Sequence, residues 1–236
     1  MKPVYHIRKG IITIGLLILV AGICSAADPF PGNPPICPRW ALEHWVWEDN
    51  TNTRTSTEAL VQGYLDRNIP VGAIIVDSPW ETGYCTLEWD TNRYPDPQGM
   101  IDDFHSAGIR VVMWTTGFVN NNTAYYNYVK SQGYAVNGGQ DFSWWKGTGV
   151  HIDYTNQAAK NWRHGYMATL LNMGIDGWKC DQGAQYLTST VSTSIGDLAK
   201  DDFKKYYYAD YYDYSVSQKA EAMILARPYS SQGYGA

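Results

Sequence analysis

Residues 174–183 read GIDGWKCDQG, and the reading of this stretch decides the fold. It follows the segment AAKNWRHGYMATLLNM, in which Ala158, Trp162, Tyr166 and Leu170 recur at every fourth position, the spacing of one helical face. Gly174 ends that helix, because glycine takes the left-handed conformation without steric cost. Ile175 to Cys180 is short and mostly apolar, which predicts a buried strand with Asp181 at its C-terminal end. The C-terminal mouth of a parallel sheet is where α/β enzymes put their chemistry. A turn aspartate capping the next loop is the competing reading. Lys179 stands two positions before Asp181, so both side chains point to one face of the strand. A lysine facing a packed interior is costly unless paired. An ammonium nearby also favours the ionised carboxylate that a nucleophile requires. A purely structural salt bridge is the alternative.

Upstream, the chain of 236 residues begins with the pattern of a secretory signal peptide. Lys2, Arg8 and Lys9 form a positive start, Ile11 to Ile23 an apolar run, and Ser25, Ala26 and Ala27 a small-residue cleavage site. The run is shorter than the roughly 20 residues of a membrane span. Residues 1–27 are therefore expected to be removed and the protein exported, with 28–38 a Pro- and Gly-rich leader and 39–236 the folded portion. The net charge is −5, and loss of those cations makes the remainder more acidic still. Such a protein is a poor partner for nucleic acid or an anionic membrane. Cys37, Cys85 and Cys180 have no metal-ligand spacing. Cys180 reads as a packed thiol, and Cys37 with Cys85 as a disulfide only if the compartment is oxidising.

Several β-α alternations precede the decisive stretch. Trp40 to Trp47 predicts a first strand. TSTE at Thr55 to Glu58 reads as a capping box opening a helix to about Asn68. Val71 to Val76 is a continuous apolar run ending at Asp77, as a buried parallel strand would be. Asp96 and Pro97 open another helix, and Ile109 to Thr115 follows as a strand. Thr123 to Gln132 predicts a short helix, Gly138 to Gly149 a long loop, Lys200 to Lys219 a helix with a tyrosine face, and Ala222 to Arg227 a fifth strand. The alternation implies a parallel sheet. A closed (β/α)8 barrel takes about 250 residues, so the expectation is an α/β, TIM-barrel fold with about five of its eight units.

At this level of detail the residues resemble glycoside hydrolase family 31, the retaining α-glycosidases. The likeness runs from about Pro38 onward through PRWALEHW, IPVGAIIVDSPW, EWDTNRYPDPQGMIDDFHSAGIRVVMW, HIDYTNQAAKNW, GIDGWKCDQG and ARPYSSQGYG, in that order. The resemblance implies that Asp181 is the nucleophile and that Asp77 binds the sugar in the −1 subsite. It implies that Arg227 orients the sugar and that Lys179, as in the family's α-xylosidases, contacts a hydroxyl. Trp80 and Trp114 would be pocket walls, with core packing an equal account of Trp114. His151 and Asp153 would hold a loop. The implied substrate is an oligosaccharide or α-glycoside, and no cofactor is called for, since the chemistry uses carboxylates and water.

Three departures from the family pattern stand out. Gln182, Gly183 and Ala184 offer no carboxylate where the family usually has a glutamate. The family normally has a β-sandwich domain before the barrel, whereas here the expected signal peptide leads almost directly into it. Its acid/base aspartate is expected beyond Ala236. Glu81 is the first of the remaining carboxylates to consider for that role, beside Asp77, Asp153 and Asp176. Two other readings of the same residues therefore stand beside hydrolysis: a transglycosylase, and a non-catalytic sugar-binding chain.

Overall fold

A computed structural model of the chain describes residues 37–49 and 52–227. The expected signal peptide lies outside them, as does all but the end of the leader. The elements in order are β1 (Trp45–Glu48), α1 (Arg54–Leu65), β2 (Ala73–Val76), α2 (Pro97–Ser106), β3 (Arg110–Thr116), β4 (Phe118–Asn120), α3 (Tyr126–Ser131), β5 (Phe142–Trp144), β6 (Gly147–His151), α4 (Gln157–Asn172), β7 (Gly177–Asp181), β8 (Thr190–Thr193), β9 (Gly196–Ala199), α5 (Lys200–Gln218) and β10 (Met223–Arg227). Five strands form one sheet in the order β1-β2-β3-β7-β10, and every pairing in it is parallel. This is an incomplete (β/α)8 barrel with helices covering one face.

Alternation along the strands sorts the residues into two faces. Val46, Ile74, Val76, Val111, Met113, Trp178 and Cys180 point toward the helices and belong to the main core. Ala73, Ile75 and Val112 point the other way and pack with Trp40, Trp45 and Met223. The second group is the apolar floor of the inward face, the layered filling of a barrel interior. Continuing its period of two toward the strand C-termini brings in Asp77, Trp114, Lys179, Asp181 and Arg227. Gly177 sits where β7 and β10 run closest: a Cβ there would lie 2.0 Å from the Met223 carbonyl oxygen. Gly174 ends α4 with φ of +106°, the conformation its glycine permits.

Several expected boundaries move, each for a local reason. Trp40 lies in a short 3-10 turn, Arg39–Leu42, and the first strand starts only at Trp45. The capping box falls two residues earlier than expected: Thr53 Oγ1 accepts from the Ser56 amide at 3.2 Å, and Ser56 Oγ from the Thr53 amide at 2.8 Å. Glu58 is engaged instead by Arg54 Nε at 2.6 Å. The expected loop 138–149 contains the hairpin β5–β6, and the polar stretch after β7 contains the hairpin β8–β9. Among the described residues Cys37, Cys85 and Cys180 are free thiols: Cys85 is buried in the core while Cys37 is exposed, so the two do not form a disulfide.

Candidate active site

The site grows from the C-terminal ends of β2, β3, β7 and β10. β2 is buried along its whole length, and the chain leaves it at Asp77. One Asp77 oxygen accepts from the Ser78 amide at 2.8 Å, and the other pairs with the Lys179 ammonium. Burial pushes the Asp77 carboxyl above its usual range, and Lys179 opposes that rise. The Lys179 ammonium also lies 5.2 Å from the centre of the Trp47 ring. Register places Lys179 beside Trp114 on one side and Leu225 on the other.

Two residues on, Asp181 is 2% exposed and stands in register with Arg227. Arg227 Nη1 reaches both carboxylate oxygens, at 3.2 and 3.3 Å. The Trp114 indole N–H donates to Asp181 Oδ2 at 3.1 Å. Asp181 therefore has one donor from each neighbouring strand. Its backbone then turns sharply, since Gln182 takes φ of +56°, an uncommon conformation for a residue with a Cβ.

Asp77, Trp114, Lys179, Asp181 and Arg227 thus converge at one end of one face. Trp80 does not face that cluster. It is fully buried, its ring packs on Trp89 with centroids 4.8 Å apart, and its N–H donates to the Trp114 carbonyl oxygen at 2.9 Å. Through that contact it backs Trp114. Trp114 itself is fully buried and meets the site through its N–H edge. Asp153 does hold a loop: it accepts from the Thr155 amide at 2.9 Å and the Ser194 amide at 2.7 Å. Asp176 precedes β7 at the opposite end of the sheet, bound by the Val111 amide, His105 and Lys219. Among the described residues, no group of three or more His, Cys, Asp or Glu side chains could hold a metal ion, and no helix is long and apolar enough to cross a membrane.

The profile of the glycosyl hydrolases family 31 TIM-barrel domain matches residues 34–231. The chain belongs to glycosyl hydrolase family 31. An α-xylosidase of Lactiplantibacillus pentosus is 28% identical over 203 residues, 80% of this chain and 27% of that protein. An isomaltosyltransferase of Sporosarcina globispora is 26% identical, over 83% of this chain and 21% of its own length. The family 31 dextranase of Flavobacterium johnsoniae, solved with glucose, superposes with a TM-score of 0.76 at 19% identity, covering 82% of this chain and 26% of that one. The chain therefore spans about a quarter of the relatives it matches.

Sequence reasoning missed one functional neighbour. The buried face of family member helix α4 is Ala159, Arg163, Met167, Leu170 and Leu171, turned by one residue from the expected stripe. Arg163 is fully buried and donates to the Cys85 carbonyl oxygen at 2.9 Å, the Tyr211 hydroxyl at 3.0 Å and Thr115 Oγ1 at 3.3 Å. The apolar pattern hid it, because a charged residue on the face is what that pattern excludes.

Glu81 lies buried within the influence of the same Arg163 charge. Burial pushes its carboxyl up to about 8, with the Arg163 charge opposing, while the Leu87 amide donates to it at 3.4 Å. It is neutral through the acidic range. The folded form holds this proton more tightly than the unfolded chain, whose value is near 4.5. The stability it contributes is complete below that lower value and is lost as pH rises toward about 8. Between about pH 5 and pH 8, Glu81→Gln is expected to flatten a loss on the order of 4 kcal/mol. Urea midpoints at the two pH values check this; parallel pH profiles for wild type and variant would count against it.

Proposed function

We propose that the chain carries the nucleophile side of an exported retaining α-glycosidase, acting on terminal α-linked sugars through a covalent glycosyl-enzyme on Asp181. The observation that carries it is the Asp181 carboxylate, fixed between Trp114 and Arg227 beside the Asp77–Lys179 pair. In the first step an Asp181 oxygen bonds to the anomeric carbon as the glycosidic oxygen leaves with a proton. In the second, water adds to that carbon, its proton passes to the same acid/base group, and the ester to Asp181 breaks. Asp77 and Lys179 offer an acceptor and a donor to sugar hydroxyls, and Arg227 orients the ring. The mechanism needs its second carboxyl about 5–5.5 Å from the nucleophile. Glu81 is buried with the Arg163 charge acting on it, Asp153 binds its own loop, Asp176 lies at the opposite end of the sheet and Asp77 is held by Lys179, so in this reading the acid/base group lies outside the described residues.

The test is a trapping experiment. A ring-fluorinated α-glycosyl fluoride slows hydrolysis of the glycosyl-enzyme, and peptide mass mapping then locates the label. The expected label is on the peptide holding Asp181. Labelling of another carboxylate would overturn the assignment. The isomaltosyltransferase among the relatives favours a second reading, with a sugar hydroxyl replacing water. Oligosaccharide products that grow with acceptor concentration would support it over hydrolysis.

Export rests on the N-terminal pattern of charge, apolar run and small residues. N-terminal sequencing of material secreted by an expressing cell should begin near Ala27 or Asp28. Folded, exported protein that retains Met1 would refute the cleavage.

A further inference from the structure

The cluster around Arg163 joins elements that are distant in sequence, and each of them carries part of the site. Arg163 itself is on α4, whose chain leads into β7 with Lys179 and Asp181. Its Nη1 donates to the Cys85 carbonyl oxygen, in the loop that begins at Asp77. Its Nε donates to Tyr211 on α5, which leads into β10 and Arg227. Its Nη2 donates to Thr115 Oγ1 on β3, the residue after Trp114. Tyr211 OH and Thr115 Oγ1 are themselves 3.0 Å apart, which closes the group into a ring of polar contacts. Arg163, Thr115 and Tyr211 are all fully buried.

We infer that Arg163 is a positioning residue: its guanidinium fork sets the end of β3 so that the Trp114 indole N–H meets Asp181. Thr115 and Trp114 point to opposite faces of the strand, so a pull on Thr115 from the helix side fixes how far Trp114 projects into the inward face. Trp114 is held on the same segment by a second contact, from Trp80 to its carbonyl oxygen. A planar fork with several donors in fixed directions can satisfy three acceptors at once, whereas a lysine ammonium on a flexible stem cannot reproduce that geometry. The catalytic meaning of this role rests on Asp181 being the nucleophile. The hydrogen bond it controls can be measured without any turnover.

The experiment uses the whole chain with its tryptophans labelled with nitrogen-15. The Trp114 indole cross-peak is assigned by its disappearance in Trp114→Phe. Its position when the Asp181 contact is weakened is taken from Asp181→Asn. In Arg163→Lys the peak is expected to move at least half of the way to that position. Thr115→Val and Tyr211→Phe remove one hydroxyl each with little change of shape, and they should move it in the same direction, Thr115→Val more. These two variants carry the test if Arg163→Lys does not fold. Asp210→Asn is the control. It removes the charge that Asp210 presents to His164 and Lys160 between α4 and α5, without touching β3. A Trp114 peak unmoved in folded Arg163→Lys or Thr115→Val protein would overturn the inference. So would an equal shift in Asp210→Asn, which would mark a general loosening. Absence of a covalent glycosyl label on Asp181 would leave these shifts as they are and would count against the glycosidase reading alone.

Discussion

Asp181→Asn is expected to abolish turnover of aryl α-glycosides in a barrel closed by the three further β/α units of a family relative. The amide is nearly the same size as the carboxylate, and it can still accept from the Trp114 N–H at the 3.1 Å oxygen, so the fold should survive. It cannot form the ester bond to the anomeric carbon. The loss should therefore exceed the factor of roughly 10²–10⁴ that removal of an acid/base group typically costs. Initial rates with a good leaving group test this, since such substrates need little help from the acid. Turnover within a factor of about ten of the parent, or some 1.4 kcal/mol of barrier, would remove Asp181 from the nucleophile role.

Lys179→Met should have the largest effect on stability. Asp77 is 2% exposed, and its partner's side chain is 13% exposed. Methionine keeps the length of the stem but leaves the carboxyl without its cation. Removing one member of a buried pair costs roughly 3–5 kcal/mol. Burial already pushes the Asp77 carboxyl up, and Lys179 is the main force opposing that shift. Without it the folded-state value rises further, so the variant is most stable at low pH and loses ground as pH increases. Asp77→Asn combined with Lys179→Met should recover most of the loss, because no charge is then left buried. Urea midpoints of the single and double variants across pH provide the cycle. A loss of less than about 1 kcal/mol for Lys179→Met, the scale of an exposed pair, would show that the contact is effectively solvated.

The parallel sheet was legible because its central strands are buried on both faces and so read as apolar runs, Ala73–Val76 above all. Asp77 and Asp181 were legible because each closes such a run. Lys179 was legible from a spacing of two. The hairpins β5–β6 and β8–β9 were not, since their strands are short and alternate polar with apolar residues in a glycine-rich setting. The burial of Trp80 against Trp89 was not legible, because an aromatic near a site carries no mark of which way its ring faces. Arg163 was missed for a related reason. A stripe drawn through Ala158, Trp162, Tyr166 and Leu170 is apolar, while the stripe that packs has a cation at its centre, and only the acceptors on β3, α5 and the loop after β2 make that burial tolerable.

The place of β7 in the sheet, between β3 and β10, bears on how the protein is made. A nascent chain emerges from its N-terminus at about 5–20 residues per second. Once β10 has emerged, the strand bearing Asp181 already has both flanking partners, and the contacts from Trp114 and Arg227 are drawn from those two partners alone. The two outer strands of the sheet, β1 and β10, are the ones left to meet anything else. The surroundings of Asp181 are thus complete within the described sheet as soon as β10 is in place.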